Sequence, residues 1–225
     1  MNNDLTLVIP AKNEKESLYF VINEIEKLKL GASIYFVVEK RDFSTINVIR
    51  RFNHRIIYQT NKGYGDALIK GISSVKTKYF CIFNADASFN PIELKKMLRI
   101  ARLSNPDFIF ASRYEKKCSS EDDTLVTKFG NFFFTKLGNF LFKLKITDIL
   151  YTFVLGKTLS AKKLNLKEKD FRLCVELPIK AKKKGLKFID IPSYERSRIG
   201  GVKKVNAIKD GFLIMTKIIV LFLLK

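Results

Sequence analysis

Asp86 follows an apolar run, residues 79–83, and stands between two other oxygen-bearing side chains at alternate positions, Asn84 and Ser88. One carboxylate flanked by an amide and a hydroxyl suits a hard divalent cation that takes few protein oxygens and fills its shell from a bound diphosphate. The plainer reading of the same segment is a helix start at Pro91, which Asn90 alone could cap; it leaves Asp86 without a duty. A second segment, Ile9-Pro10-Ala11-Lys12-Asn13-Glu14, sets a turn at Pro10 and offers Asn13 and Glu14 as capping residue types at a positive helix end. A third, Asn61-Lys62-Gly63-Tyr64-Gly65-Asp66-Ala67, places two glycines ahead of a helix. Such glycines serve either close approach of a phosphate or a plain tight turn. The segment is neither a Walker loop nor G-x-G-x-x-G, since Leu68 occupies the third glycine's place.

The residue inventory removes several chemistries. His54 is the only histidine, which leaves little room for histidine-based metal ligation or a Ser-His-Asp triad. Cys81, Cys118 and Cys174 are far apart and form no C-x-x-C pair, which argues against a disulfide framework or zinc site and for a reducing compartment.

The elements that must position these loops alternate in type. Residues 5–10, 34–38, 55–59, 79–83 and 107–111 read as strands, the first a continuous apolar run of the kind buried on both faces. Helical spacing fills residues 14–29, where Leu18, Val21, Ile22 and Ile25 recur, and helices fit at 65–76 and 91–104. This alternation predicts an α/β fold with a mainly parallel sheet, whose ligands bind at the carboxyl ends of the strands. The pattern changes after residue 115. Residues 118–124 are polar and acidic and read as a mobile loop; residues 125–146 form a helical stretch mixing Phe129, Phe132, Phe133 and Phe140 with Lys128, Lys136 and Lys143. A helix at 171–184 and a strand at 187–191 follow. Residues 212–224 are apolar except for Thr216 and Lys217, too short a run to span a bilayer, which takes about 20 residues.

A length of 225 residues fits one domain with an appendage, residues 1–204 and an apolar helix over 205–225 that lies at a membrane interface or packs on a partner. Hydrophobic residues make up 47% of the chain, which excludes intrinsic disorder. Its polar start, Met1-Asn2-Asn3-Asp4, is unlike a secretory leader. The net charge is +20, of which residues 1–123 carry +5 and residues 124–225 carry +15. A bias of that size points to an anionic partner for the second half. Nucleic acid would call for a recognition motif, and none is present. The Phe–Lys interleaving of 125–146 fits a helix lying on anionic lipid, or else a core helix with a solvated face.

Taken in order, these motifs resemble the family 2 glycosyltransferases of the GT-A fold, in particular the polyprenyl- and dolichyl-phosphate sugar transferases. Leu7-Val-Ile-Pro-Ala-Lys-Asn-Glu14 resembles V-I-P-A-x-N-E, and residues 61–67 resemble N-x-G-x-G-x-A. Asn84-Ala-Asp86 with Ser88 and Pro91 falls on D-A-D-x-S/Q-x-x-P, Ala111-Ser-Arg-Tyr114 on G-S-R-Y, and Thr127-Lys-Phe-Gly-Asn131 on S-R-G-A-N. Ile146-Thr-Asp148 is similar to I-T-D, and Arg198-Ile-Gly-Gly201 with Lys204 to R-x-x-G-x-S-K. The resemblance implies a Rossmann-like sheet flanked by helices, with C-terminal amphipathic helices at an interface. It implies inverting transfer of a sugar from a nucleotide-diphosphate sugar to a polyprenyl phosphate or lipid-linked glycan, assisted by Mg2+ or Mn2+, on the cytoplasmic face of the membrane. The nucleotide would meet Pro10, Ala11, Asn13, Glu14, Glu39, Lys62, Gly65, Asn84 and Ala85. Asp86, Asn84 and Ser88 would hold the metal, Asp86 and Arg198 would be catalytic, and Arg113, Lys128, Asp148, Arg198 and Lys204 would face the acceptor and phosphates. The chain departs from the pattern at Asn84, which loses a charge and should weaken metal binding. It departs again at Glu39-Lys40-Arg41-Asp42-Phe43-Ser44 in place of D-D-G-S-x-D, and at Thr152-Phe153-Val154 in place of Gly-Phe-Arg. These departures leave an alternative, a degenerate relative that binds nucleotide sugar or a partner without turnover.

Overall fold

The computed structural model describes residues 3–115, 118–200 and 206–224. In chain order the elements are β1 (Leu5–Ala11), α1 (Lys15–Lys27), β2 (Ser33–Val38), α2 (Phe43–Ile49), β3 (Arg55–Tyr58), α3 (Tyr64–Ser74), β4 (Tyr79–Ile82) and α4 (Ile92–Ser104). They continue with β5 (Phe108–Ser112), α5 (Leu125–Phe142), β6 (Val154–Lys157), α6 (Thr158–Lys163), α7 (Leu173–Lys183), β7 (Phe188–Pro192) and α8 (Ala207–Leu223). The seven strands form one sheet in the order β3-β2-β1-β4-β6-β5-β7. All its pairings are parallel except those of β6, which runs antiparallel to both β4 and β5.

The unbroken apolar character of the strands follows from this layering. Successive side chains point to opposite faces, and both faces are covered. Leu5, Leu7 and Ile9 of β1 join a core that includes Leu18 and Ile22 of α1 and Leu94 and Met97 of α4. Val8 of the same strand joins the other core, with Leu68 of α3, Leu177 of α7 and Ile218 of α8. In β4, Tyr79 and Cys81 take the first side and Phe80 and Ile82 the second.

Three elements were not expected. Helix α2 is short and starts on Asp42, whose Oδ1 accepts from Thr45 N–H at 3.2 Å. Strand β6 and helix α6 lie in a stretch that carries no long periodic signal. Helix α5 also stops at Phe142 instead of running to residue 146, because Lys143 and Lys145 take left-handed φ values of 54° and 62°. Asn139 fixes that reversal: its Nδ2 donates to Ile146 O at 2.7 Å and its Oδ1 accepts from Ile146 N–H at 3.2 Å. Helix α8 packs against α5 and α7, with Phe142 and Phe222 edge-to-face at 6.0 Å.

Candidate active site

A cleft of about 430 Å³ runs along the carboxyl edge of the sheet. Pro10 and Ala11 at the end of β1, Glu14 beyond it, Glu39 after β2, and Asn84, Ala85 and Asp86 after β4 line it. Arg113 after β5 and Arg198 complete the set of expected residues that face it. The sheet order puts β4 between the two halves of that edge. Asp86 therefore sits midway, with the β1 and β2 loops on one side and the β6, β5 and α5 residues on the other.

The other expected residues lie elsewhere. Asn13 takes a left-handed φ of 54° and donates its backbone N–H to Asp42 Oδ2 at 2.7 Å. Lys62 and Lys128 are exposed, outside the cleft lining. Lys204 lies outside the described residues. Gly65 is buried, and its missing side chain makes room for protein instead of a phosphate: a Cβ there would stand 2.2 Å from Glu168 O and 2.7 Å from Asp170 O. The same segment presses on Gly63, where a Cβ would be 2.1 Å from Lys169 O. The structure displays a use that neither of the two readings of these glycines named, close packing against residues 168–170.

Asp86 is built into a clamp. Its Oδ1 accepts from Ser88 N–H at 3.0 Å and from Ser88 Oγ at 2.7 Å. Ser88 is buried and outside the cleft lining, so its hydroxyl orients the carboxylate and does not present itself as a metal ligand. Ala87 between them holds a left-handed φ of 70°, a conformation that non-glycine residues keep only where the surroundings enforce it. The enforcement comes from residues 193–199: Arg196 N–H donates to Ser88 O at 2.9 Å and Ile199 N–H to Asp86 O at 3.0 Å. Arg198 Nη1 stands 3.9 Å from Asp86 Oδ2, and its Nε and Nη2 grip Asp122 at 3.0 and 2.6 Å. Asn84 Oδ1 accepts a long bond from Tyr64 Oη at 3.4 Å, and the same phenol shares a 2.7 Å bond with Thr152 Oγ1. Asn84 and Thr152, two departures from the family pattern, thus meet on one tyrosine.

Arg113 and Asp148, expected at a phosphate, are partners of each other. Arg113 Nε and Nη2 reach the two Asp148 oxygens at 2.7 and 3.1 Å, and Nη1 reaches Glu195 at 3.0 Å. Burial works against the guanidinium charge, but Asp148 and Glu195 outweigh it and hold Arg113 above its ordinary value. Burial likewise pushes the Glu195 carboxyl up, with Arg113 opposing. A phosphate would have to displace carboxylates to reach this arginine, so its visible work is to anchor the floor of the cleft.

Residues 118–124 form a strap, where a mobile loop was expected. Ser120 bonds Glu195, Glu121 accepts from Ser197 N–H at 3.0 Å and from Tyr194, Asp122 holds Arg198, and Asp123 bonds Tyr114. Its polar composition suits these bonds as well as it suits solvent, and nothing in the sequence distinguishes the two. Asp42 orders the β1 and β2 loops by accepting from Asn13 N–H and Thr45 N–H. Burial alone would raise its carboxyl, but donors from Asn13, Thr45 and Ser44 outweigh that and hold it below its ordinary value. The Asp42-to-Thr45 spacing is a capping signal that could have revealed it.

Among the described residues no group of three or more His, Cys, Asp or Glu side chains could hold a metal ion. Asp86 offers one carboxylate with Oδ1 already committed to Ser88, and Asn84 offers a neutral oxygen. This fits an ion of the Mg2+ or Mn2+ kind that takes one or two protein oxygens and completes its shell from a substrate's phosphates.

Comparison with known proteins agrees with the geometry. Residues 6–164, well over half of the chain, match Glycosyl transferase family 2. The uncharacterized protein MJ1222 of Methanocaldococcus jannaschii is 28% identical over 233 residues, covering 96% of this chain and 93% of its own. A dolichyl-phosphate hexose transferase of Haloferax volcanii is 23% identical over 146 residues, 65% of this chain and 63% of its own. Among solved structures, glucosyl-3-phosphoglycerate synthase of Mycobacterium tuberculosis, in complex with Mn2+, uridine diphosphate and phosphoglyceric acid, superposes with a TM-score of 0.77. It is 11% identical, and the match covers all of this chain and 80% of that one. At that identity the likeness establishes the fold, a GT-A sheet.

Proposed function

The chain belongs to glycosyl transferase family 2 and is a hexosyltransferase-like enzyme; from that premise we propose that it moves a hexose from a nucleotide-diphosphate sugar to a polyprenyl phosphate or lipid-linked glycan, with inversion. The observation that carries this reading is the convergence of Pro10, Ala11, Glu14, Glu39, Asn84, Asp86 and Arg198 on one cleft at the strand ends. The nucleoside lies against the β1 and β2 loops, and the diphosphate lies by Asp86 and Arg198. Arg198 keeps its place through Asp122 and turns to the diphosphate as charge builds on the leaving group, the moment at which a fixed cation helps most. A Mg2+ or Mn2+ ion held by Asp86 and the amide oxygen of Asn84 supplies Lewis-acid stabilisation of the same charge when bound. A phosphate acceptor is ionised near neutral pH and needs no strong general base, which agrees with a chain that has a single histidine. Inversion is the outcome of one displacement from the side of the sugar opposite the diphosphate.

The acceptor side of this reading is supported by two helices. Among the described residues no helix is long and apolar enough to cross a membrane. Helices α5 and α8 nevertheless expose Phe129 (72%), Phe140 (81%) and Phe212 (70%). An exposed apolar face rimmed with lysines is the build of a surface that lies on anionic lipid, here on the cytoplasmic side, where nucleotide sugars are made.

The test is nucleoside-diphosphate release from a panel of nucleotide sugars with Mn2+. Asp86→Ala is expected to lose on the order of 100-fold or more in kcat. Equal turnover in wild type and variant would remove Asp86 from the chemistry.

A further inference from the structure

A carboxylate presents an oxygen whichever way it turns; an amide presents an oxygen at one end and an NH2 at the other. Asn84 can therefore serve a cation in only one of two orientations that have nearly the same shape. Some neighbour must choose between them. Asn84 Oδ1 has one protein donor, Tyr64 Oη at 3.4 Å. The same phenol shares a 2.7 Å bond with Thr152 Oγ1. Among the described residues, neither the Asn84 nor the Thr152 side chain makes any other hydrogen bond. One arrangement gives both hydroxyl protons an acceptor in this set: Thr152 donates to Tyr64, and Tyr64 donates to Asn84. With the amide turned over, its NH2 would donate to Tyr64 and Tyr64 to Thr152, and the threonine proton would have no acceptor there.

The tyrosine is itself held firmly. Its ring stacks on Phe171, with centroids 5.2 Å apart and planes inclined by 19°. It opens α3, and the backbone there is pinned to the segment before α7: Asp66 N–H donates to Lys169 O at 3.0 Å, and the same segment crowds Gly63 and Gly65. Tyr64, Asn84, Thr152 and Phe171 all line the cleft, so the relay ends at the site and not in the core. Asn84 and Thr152 also stand where the family pattern has Asp and Gly. An Asp at the first position would need no orienting donor, and a Gly at the second could supply no hydroxyl to Tyr64. Two departures from the pattern thus share one chemical explanation.

We infer that Tyr64 is a positioning residue: fixed by Phe171 and Thr152, it presents the amide oxygen of Asn84, and not its NH2, to a divalent cation held with Asp86. The inference rests on the proposed metal role of Asn84 and identifies what this chain uses in place of a second carboxylate. An amide oxygen has two lone pairs, so a bond from Tyr64 and a cation are compatible on the same atom. Partners that orient a metal ligand without touching the metal typically contribute about ten- to hundredfold in metal affinity.

The experiment measures by calorimetry how far Mn2+ tightens the binding of a nucleoside diphosphate to the full chain, using whichever of UDP, GDP and ADP binds most tightly. The readout is the ratio of the dissociation constants without and with Mn2+, which cancels any change in how the ring itself meets the nucleotide. Wild type is compared with Tyr64→Phe, with Asn84→Asp and with the double variant; phenylalanine keeps the stack on Phe171 and loses the hydroxyl. Tyr64→Phe is expected to lower the ratio about tenfold. In the Asn84→Asp background, where either end of the side chain is an oxygen, the same change is expected to leave the ratio where it was. An equal loss in both backgrounds, or no loss in either, overturns the inference. Tightening that is missing in wild type and appears with Asn84→Asp also overturns it, while leaving the cation at Asp86. No tightening in any of these proteins overturns it together with the metal assignment of the proposed function. The expected pattern with no sugar transferred would count against the proposed reaction and leave the role of Tyr64 standing.

Discussion

Gly63 holds a backbone that side-chain-bearing residues rarely adopt, φ +117°, against a carbonyl that would lie 2.1 Å from any Cβ. Neither difficulty can be relieved by rotating a side chain, since the obstacle is the backbone of Lys169. Gly63→Ala is therefore expected to destabilise by at least about 2 kcal/mol, seen as a fall of roughly 4–8 °C in Tm for a chain of this size. Nucleotide binding should fall with it, because Gly63 and Tyr64 line the cleft. A Tm within 1 °C of wild type would show that residues 168–170 can move away at little cost. The same glycine illustrates what single residues disclose before a structure exists. Its type announced an unusual backbone, but sequence could not say whether a ligand or the protein itself filled the space. Asp86 was more legible, because a carboxylate beyond a buried strand has few structural uses. Tyr64 was legible only as part of a motif. The place of its hydroxyl between Asn84 and Thr152 is a matter of three-dimensional contact.

Among the elements, α8 is tied to residues 167–176 by ion pairs as well as by apolar packing. Lys217 Nζ lies 2.7 Å from Glu168 and 3.6 Å from the buried Glu176. Glu176 Oε2 accepts from the backbone N–H groups of Lys167 and Glu168, both at 2.9 Å. That stretch is the one packed on Gly63 and Gly65. Lys217→Met keeps the apolar stem and removes the cation, leaving Lys180 at 2.7 Å as the cation beside Glu176. Hydrogen exchange at the amides of Lys167 and Glu168 is expected to quicken about tenfold, with the strands of the sheet unaffected. No change there would mean that α8 is held by its apolar face alone. The elements legible in the sequence were the β1, β2, β4 and β5 strands, whose two buried faces make them continuously apolar, the shorter β3 and β7, and the helices α1, α3 and α4. Strand β6 was not, since four residues between α5 and α6 carry too little pattern. Its antiparallel insertion between β4 and β5 is a matter of topology. The end of α5 was misplaced for a local reason, the left-handed Lys143 and Lys145, residue types that seldom mark a helix stop.

For the molecule as a whole, charge and apolar exposure coincide. The net +20 is carried mainly by residues 124–225, the part that contains α5 and α8. A surface meant for water alone has no use for Leu125, Phe129, Phe132, Phe140 and Phe212 exposed together. One meant for a protein core would not be rimmed by Lys128, Lys136, Lys143 and Lys209. The combination separates two forces that respond differently to salt. Attraction of lysines to anionic headgroups is worth about 1 kcal/mol each near the surface and fades within a Debye length. Insertion of a phenylalanine contributes about 1.5–3 kcal/mol when the ring is fully buried and is insensitive to salt. Co-sedimentation with vesicles should therefore show binding to phosphatidylglycerol-containing membranes, weakening but persisting as salt rises from about 0.05 to 0.5 M. Replacing Phe129, Phe132 and Phe140 with serine removes the salt-resistant part and leaves a purely electrostatic association that high salt abolishes. The folded core should be untouched, since these three side chains are exposed. Failure of the wild-type chain to sediment with anionic vesicles at low salt would defeat the membrane reading of both helices. The exposed faces of α5 and α8 would then have to be covered by protein.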